Sequence, residues 1–228
     1  MALNLRLVLR NKRTKAVVLM TFVIMLYGFI FYKPMYMKSD HMPMVLLGAM
    51  FITGIFIMNF GQFLFAWHSG YFDGLMSLPI SIREFIRAQF MMFTAVSTLT
   101  FVITSLYGLI SWKILPFQLA AFLYNAGVNT VVVVYFATRS YKGIDLTRSA
   151  TFNYQGTGMA QWINMLLALV APMLIYIALA WIVNSWVALT VLGVLGLISL
   201  LLQNWWINLL TDQFLIRKHT ILAGFREK

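Results

Sequence analysis

The sequence lacks cysteine and is poor in charge. None of its 228 residues is cysteine, which excludes disulfides, thiolate catalysis and cysteine-based metal sites. Charged residues make up 10% of the chain, whereas a soluble domain carries about 25%. Hydrophobic residues make up 61%, so the charges are too few to cover a globular surface in water. The composition therefore predicts a chain whose main solvent is lipid.

The chain also lacks the short motifs of common enzymes. It contains no G-x-x-x-x-G-K-[ST] phosphate loop, no H-E-x-x-H and no G-x-S-x-G. Its three histidines, His41, His68 and His219, are far apart in sequence. We therefore expect neither catalysis nor a cofactor in this chain, and any ATP that drives its function must be bound by another subunit.

Six apolar runs are long enough to cross a bilayer. A helix needs about 20 apolar residues to span roughly 30 Å of hydrocarbon. The runs cover residues 16–32, 44–66, 87–110, 117–138, 162–183 and 186–210. Transmembrane β-strands would instead show short alternating segments. The sequence predicts an all-α membrane protein with six transmembrane helices in one domain, residues 1–228.

The basic residues are distributed unequally between the two sides of this six-span arrangement. Fourteen fall on one side: Arg6, Arg10, Lys12, Arg13, Lys15, Arg83, Arg87, Arg139, Lys142, Arg148, Arg217, Lys218, Arg226 and Lys228. Three fall on the other: Lys33, Lys38 and Lys113. Because cytoplasmic loops carry the excess of Lys and Arg, both termini are predicted to be cytoplasmic. The cytoplasmic parts are a basic interfacial segment, 1–15, two loops, 67–86 and 139–161, and a tail, 211–228.

The net charge of +11 could indicate nucleic acid, but the basic residues form no continuous stripe. They lie at the ends of the apolar runs, where each is attracted to anionic lipid head groups by about 1 kcal/mol. The expected partner of these charges is the lipid bilayer, and no nucleic acid is expected.

The polar residues inside the predicted spans are neutral amides. Ion-coupled transporters usually carry ionisable residues there, so their absence argues against a proton or cation antiporter. The amides of most interest are Asn59, Gln62, Asn125 and Asn129. They are interpreted either as helix–helix hydrogen bonds, worth about 0.6 kcal/mol each, or as the lining of a substrate path.

The first predicted cytoplasmic loop contains an amphipathic segment before Pro79. One face is aromatic and aliphatic and consists of Trp67, Tyr71, Phe72, Leu75 and Leu78. The other face is small and polar and consists of Ser69, Gly70, Asp73, Gly74 and Ser77. This spacing predicts a short interfacial helix with the aromatic face toward the membrane. A plain turn does not need such a segment, so Asp73, Gly74, Leu75, Leu78 and Pro79 are candidate docking residues.

After Pro79 the sequence Ser81-Ile-Arg-Glu84 has the pattern of a capping box that starts the third span. Arg83 and Glu84 are therefore either helix-start residues or weaker members of the docking site. The second loop contains Asn153, Tyr154, Gln155 and Gly156, residues that form turns readily. They are predicted to form an ordered loop or a second docking surface.

This layout resembles the permease subunit of type-2 ABC exporters. The resemblance is carried by the basic start, six spans, cytoplasmic termini and a short helix before "LPISIREFIRAQF". It implies that the short helix is a coupling helix, docked in a cleft of an ABC ATPase subunit. The chain departs from such permeases between spans five and six, where Asn184 and Ser185 leave no room for re-entrant helices.

The chain is also similar to an uncharacterised family of bacterial membrane proteins. The matching stretches include "LVLRNKRTK", "GIFIMNFGQFLFAWHSGYFDGLM", "LYNAGVN", "IDLTRSATFNYQGTGMAQW" and "GFREK". The family pattern is longer, and this chain is expected to match its C-terminal half. That implies the bacterial cytoplasmic membrane, with a homodimer or a second permease half as partner.

Two functions follow from these patterns. The first is a permease subunit of an ATP-driven exporter whose ATPase is a separate chain. The alternative is a non-transporting membrane scaffold, or a subunit of a cell-envelope complex, whose loops bind a partner without ATP coupling.

Overall fold

The part of the protein that the structure describes is helical apart from short turns and loops. A computed structural model describes residues 7–33, 42–77, 81–144 and 159–226, and no strand occurs in these ranges. The helices are α1 (Lys12–Leu26), α2 (Gly28–Phe31), α3 (Met42–Gly61), α4 (Phe72–Ser77), α5 (Ile82–Thr104), α6 (Ile114–Tyr124), α7 (Thr130–Ala137), α8 (Met159–Ile182), α9 (Ser185–Leu201) and α10 (Gln203–Arg226). A 3-10 helix, Ala66–Tyr71, leads into α4, another, Ser105–Leu109, follows α5, and a π-helical turn, Asn125–Asn129, joins α6 to α7.

Within the described residues, five helical stretches are long and apolar enough to cross a membrane. They are Lys12–Phe31, Met42–Gly74, Ile82–Leu109, Ile114–Ala137 and Met159–Ile182. Each overlaps one of the first five predicted spans, so these are confirmed as apolar helices of spanning length. Long apolar runs of this kind are stable in lipid and not in water, so the length of a run is enough to predict a spanning helix.

The sixth predicted span, 186–210, is not one straight helix. It breaks at Leu202, and the α9 and α10 axes differ by 68°. With 17 residues, α9 extends about 25 Å. The residues after the break include buried Ile207, Leu210 and Phe214, which recur at helical spacing. These apolar side chains pack on the end of the bundle, and run length alone does not distinguish that packing from a continued span.

The central helix of the bundle is α3, of whose 20 residues 14 are buried. Its first half packs in a cluster with Tyr32, Phe117 and Tyr176, and its second half in a cluster with Trp67 and Phe214. In contrast, α8 is peripheral and exposes Leu166, Leu174 and Trp181, among other large apolar side chains. An exposed apolar helix of this length is expected where lipid surrounds the bundle.

Two glycines allow α9 to approach the π-helical turn at backbone distance. A Cβ atom on Gly127 would meet the carbonyl oxygen of Gly196. A Cβ atom on Gly196 would meet backbone atoms of Leu123 and Tyr124. Small residues at such crossings drive helix association in membranes, where the hydrophobic effect contributes little.

Candidate functional site

The candidate docking segment lies at the end of the bundle where α3 and α7 end and α5 and α8 begin, which we call the basic end. Here the chain leaves α3 and forms the 3-10 helix Ala66–Tyr71 and then α4 without a gap. A short helix is present here as predicted, but the prediction that its aromatic face points toward the membrane is wrong for Trp67 and Phe72, which pack inside the protein. Trp67 and Phe72 are buried, whereas Tyr71 is 42% exposed.

Two aromatic side chains of α10 hold Phe72. The ring of Phe72 contacts Phe225 edge-on at 5.2 Å and Phe214 at 6.3 Å between ring centroids. Phe214 also stacks on Phe65 at 4.7 Å. Edge-to-face and offset-stacked aromatic pairs contribute about 0.5–1.5 kcal/mol beyond the area they bury. The segment that contains α4 therefore packs on the C-terminal helix rather than projecting alone.

The candidate docking residue Asp73 forms a bidentate ion pair with Arg226. Nε of Arg226 donates to Oδ2 of Asp73, and Nη2 donates to Oδ1, each at 3.0 Å. Both side chains are exposed, at 57% for Asp73 and 68% for Arg226. Arg226 was not predicted as a member of the site, because 153 residues separate it from Asp73. A signal was present in the terminal "GFREK", which carries the only arginine of the last turn.

The first residues of the second loop also join this site. Oγ of Ser69 donates to the carbonyl of Ile144 at 3.2 Å and accepts from its amide at 3.1 Å. Nη1 of Arg217, in α10, donates to the hydroxyl of Tyr141 at 2.7 Å. Three separate parts of the chain are thus brought together at the basic end: residues 66–77, 141–144 and α10.

The other predicted docking residues have different surroundings. Gly74 is exposed, and a Cβ atom there would meet none of the described atoms within 4 Å. Nε of Arg83 donates to Oδ1 of Asn208 in α10 at 2.7 Å. Leu78 and Pro79 lie outside the described residues, as does the side chain of Leu75. Asn153, Tyr154, Gln155 and Gly156 also lie outside them.

The predicted capping box at Ser81 is wrong. Ser81 is the N-cap residue of α5, but its side chain makes no capping hydrogen bond. Oε1 of Glu84 instead lies 3.7 Å from Nη1 of Arg87, which is one turn further along the same helix. Both of these side chains are exposed, so water can satisfy the free amides at the helix start and no side-chain cap is needed.

Two of the candidate substrate-path residues, Asn125 and Asn129, form a buried hydrogen-bonded group. Nδ2 of Asn125 donates to Oγ1 of Thr53 at 2.8 Å and to the carbonyl of Met50 at 3.0 Å, both in α3. Nδ2 of Asn129 donates to Oδ1 of Asn125 at 2.6 Å. These contacts match the helix–helix alternative. Asn125 and Asn129 lie on the same side of the chain, although the turn that contains them is π-helical.

Asn129 also compensates for a proline in α8. Its Nδ2 donates to the carbonyl of Ala168 at 3.0 Å. In a regular helix this carbonyl would accept from the amide four residues later, but that residue is Pro172, which has no N–H. The amide of Asn129 therefore supplies the hydrogen bond that α8 cannot make for itself.

The other two candidate path residues are not part of this group. Asn59 and Gln62 are half-buried near the end of α3, about 9 and 13 Å along the helix axis from Thr53. Two grooves, of about 390 and 300 Å³, lie elsewhere on the bundle. They are lined mainly by apolar residues, such as Phe29 and Leu109 in the first and Leu123 and Leu197 in the second.

Comparison with known proteins gives one result. A model for a family of unknown function, DUF5687, matches residues 1–228. The chain belongs to this family. No curated protein and no solved structure matches the DUF5687 chain.

A disulfide can test the contact between the two loops. A Cβ atom on Gly143 would lie 3.3 Å from Cβ of Ser69, close to the 3.5–4.5 Å of disulfides. We expect Ser69→Cys/Gly143→Cys to oxidise to more than about 80%, measured as loss of labelling by a maleimide polymer. The chain has no native cysteine, so the background is zero.

The matched control for this disulfide is Gly70→Cys/Gly143→Cys. A Cβ atom on Gly70 would meet none of the described atoms within 4 Å, Gly143 included, so this pair should stay reduced. Equal oxidation of both pairs would contradict the described loop contact.

Proposed function

We propose that this DUF5687 protein is the permease subunit of an ATP-driven exporter of the type-2 ABC kind. The observation that supports it is the short helix α4 at the basic end, which is anchored by buried Phe72 and exposed at Asp73 and Gly74. In this proposal the basic end faces the cytoplasm of a bacterium, in accord with the excess of Lys and Arg there. A separate ABC ATPase subunit docks on α4, and the permease works as a homodimer or with a second permease half.

The coupling in this proposal runs through α4. Its anchor, Phe72, packs on α10, and the preceding 3-10 helix continues from α3, the most buried helix of the bundle. A displacement of α4 by an ATPase would therefore act directly on the centre of the bundle. Rigid-body shifts of packed helices are a common way to interconvert inward- and outward-facing states.

A bulky residue at the exposed position Gly74 of α4 tests this function. We expect Gly74→Trp to reduce capture of an ATP-binding subunit from membranes of the source bacterium by about tenfold. One large clash at the centre of an interface weakens the binding affinity by about this factor. The measurement is affinity purification of tagged protein followed by mass spectrometry.

The control is Leu109→Trp, at the opposite end of the bundle, where the side chain is 89% exposed. It should capture the same amount as the unmodified chain. If the unmodified chain captures no ATP-binding subunit, the exporter proposal is wrong.

A second candidate function, a scaffold or cell-envelope subunit, is favoured by the interior. Asn125 and Asn129 are hydrogen-bonded between helices, and both amides are buried. A scaffold needs such fixed packing but no substrate path. The same purification separates the two proposals, because a scaffold should capture envelope proteins and no ATP-binding subunit.

A further inference from the structure

We propose that the C-terminal end of α10 is the second half of the docking surface, and that it holds α4 in position for an acidic partner surface. This inference rests on the proposed function for the partner, but its structural part concerns this chain alone. We call the Asp73–Arg226 ion pair together with the Phe72–Phe225 contact the α4–α10 latch.

The first argument is that α4 is too short to hold itself in place. It has six residues, whereas isolated helices shorter than about 12–15 residues are marginal in water. Gly74 weakens it further, by about 1 kcal/mol relative to alanine. Its position must therefore come from tertiary contacts, and its strongest described contacts are with α10.

The second argument is that the latch combines two different kinds of contact on consecutive residues of each segment. Phe72 and Asp73 of α4 meet Phe225 and Arg226 of α10. The aromatic contact is partly buried and fixes position, whereas the bidentate ion pair fixes orientation. Because two neighbouring pairs meet at once, α4 and the last turn of α10 are expected to move as one unit.

The third argument concerns the charge that this unit presents. Arg226 neutralises Asp73, and Glu84 lies beside Arg87. The basic side chains that remain exposed at the basic end include Lys142 and Arg83, whose hydrogen-bond partner Asn208 is uncharged. A partner surface that carries acidic side chains complements this end, and such complementarity speeds encounter and selects the partner.

The experiment has one measurement on the chain alone. Hydrogen exchange is followed for the backbone amides of residues 70–77 in detergent-solubilised protein. We expect Arg226→Glu to speed exchange about two- to fivefold, the size typical of an exposed ion pair. Phe225→Ala should speed it by about tenfold, since an aromatic anchor is removed. The exchanged pair Asp73→Arg/Arg226→Asp should return the rate toward that of the unmodified chain.

The matched control is Lys218→Glu, which makes the same charge change in the same helix. It lies eight residues before Arg226, about 12 Å along the axis. Its exchange rate in residues 70–77 should equal that of the unmodified chain. If Arg226→Glu and Phe225→Ala also leave that rate unchanged, α10 does not hold α4 and the inference is overturned.

The second measurement is capture of the ATP-binding subunit. Arg226→Glu should reduce capture about tenfold and Lys218→Glu by less than twofold. If the unmodified chain and Arg226→Glu capture equally, the inference is overturned while the proposed function stands. If the unmodified chain captures nothing, the proposed function and the partner named here both fail. The exchange rates then decide the structural part alone. If the exposed basic side chains of this end bind anionic lipid vesicles instead of an acidic protein surface, the assignment of the partner is overturned.

Discussion

Gly196→Ala is expected to lower the midpoint of thermal unfolding by about 6–12 °C. The new Cβ atom would meet backbone atoms of Leu123 and Tyr124, which cannot rotate away as a side chain can. Overpacking of this kind costs about 3 kcal/mol at the upper end of its usual range. For a chain of 150–250 residues, each 1 kcal/mol shifts the midpoint by about 2–4 °C. The measurement is thermal unfolding in detergent, followed by circular dichroism.

The same substitution one turn earlier is the control. A Cβ atom on Gly193 would lie 3.8 Å from Ala120 Cα, which is an ordinary contact. Gly193→Ala should therefore be neutral or stabilise by up to about 1 kcal/mol, since alanine has the higher helix propensity. Equal losses at both positions would show that α9 does not cross the π-helical turn at Gly196.

The difference between these two glycines marks a boundary of what sequence can predict. Both lie in the same apolar run, "TVLGVLGLISL", and no local pattern distinguishes them. Only the approach of the chain at Leu123, more than seventy residues earlier, makes Gly196 indispensable. Span position follows from local composition because lipid imposes it, whereas helix crossings depend on contacts distant in sequence.

The same reasoning explains the break at Leu202. Residues 186–210 are apolar on average, so a window of spanning length predicts one helix. Gln203 and Asn204 interrupt the run, and after them the buried positions Ile207, Leu210 and Phe214 lie on one side of α10. An amphipathic stripe of this kind indicates packing on a surface rather than immersion in lipid. The spacing was visible in the sequence, but the surface that α10 packs on was not.

For the candidate docking site, sequence predicted the helix but not what holds it. The helical spacing of apolar residues around Trp67 and Phe72 predicted a short amphipathic helix, because this spacing places the apolar side chains on one face, away from water. The terminal "GFREK" offered Arg226 as one candidate partner of Asp73, but sequence alone could not select it among several basic residues. Arg226 is selected by the position of α10, which itself depends on the break at Leu202.

The sequence allowed two roles for Asn125 and Asn129 in the interior, namely hydrogen bonds between helices or the lining of a substrate path. The hydrogen bonds of Asn129 favour the first role. A residue that lines a path must be able to release its hydrogen bonds to a passing substrate. Asn129 serves a carbonyl that Pro172 leaves without a backbone donor. Releasing it would expose an unsatisfied carbonyl in the bundle, at a cost of about 1–3 kcal/mol. That cost favours a fixed structural role for Asn129.

A double-mutant cycle tests this compensation. Asn129→Ala should lower the free energy of unfolding by about 1–2 kcal/mol, because Ala168 loses its donor. In a Pro172→Ala background, residue 172 regains an N–H that can reach this carbonyl within the helix. The cost of Asn129→Ala should then fall by about 1 kcal/mol, leaving mainly the lost bond to Asn125. The measurement is denaturant unfolding of the four variants in detergent.

The control cycle pairs Pro172→Ala with Ser97→Ala. Oγ of Ser97 donates to the carbonyl of Thr53 at 3.2 Å, so its bond joins α5 to α3 and does not involve α8. The two costs should add within about 0.5 kcal/mol, as for sites that share no partner. An Asn129→Ala cost that stays the same in both backgrounds would show that the amide does not complete α8. That result would favour the substrate-path interpretation of Asn125 and Asn129, because the two amides could then bind a substrate without destabilising α8.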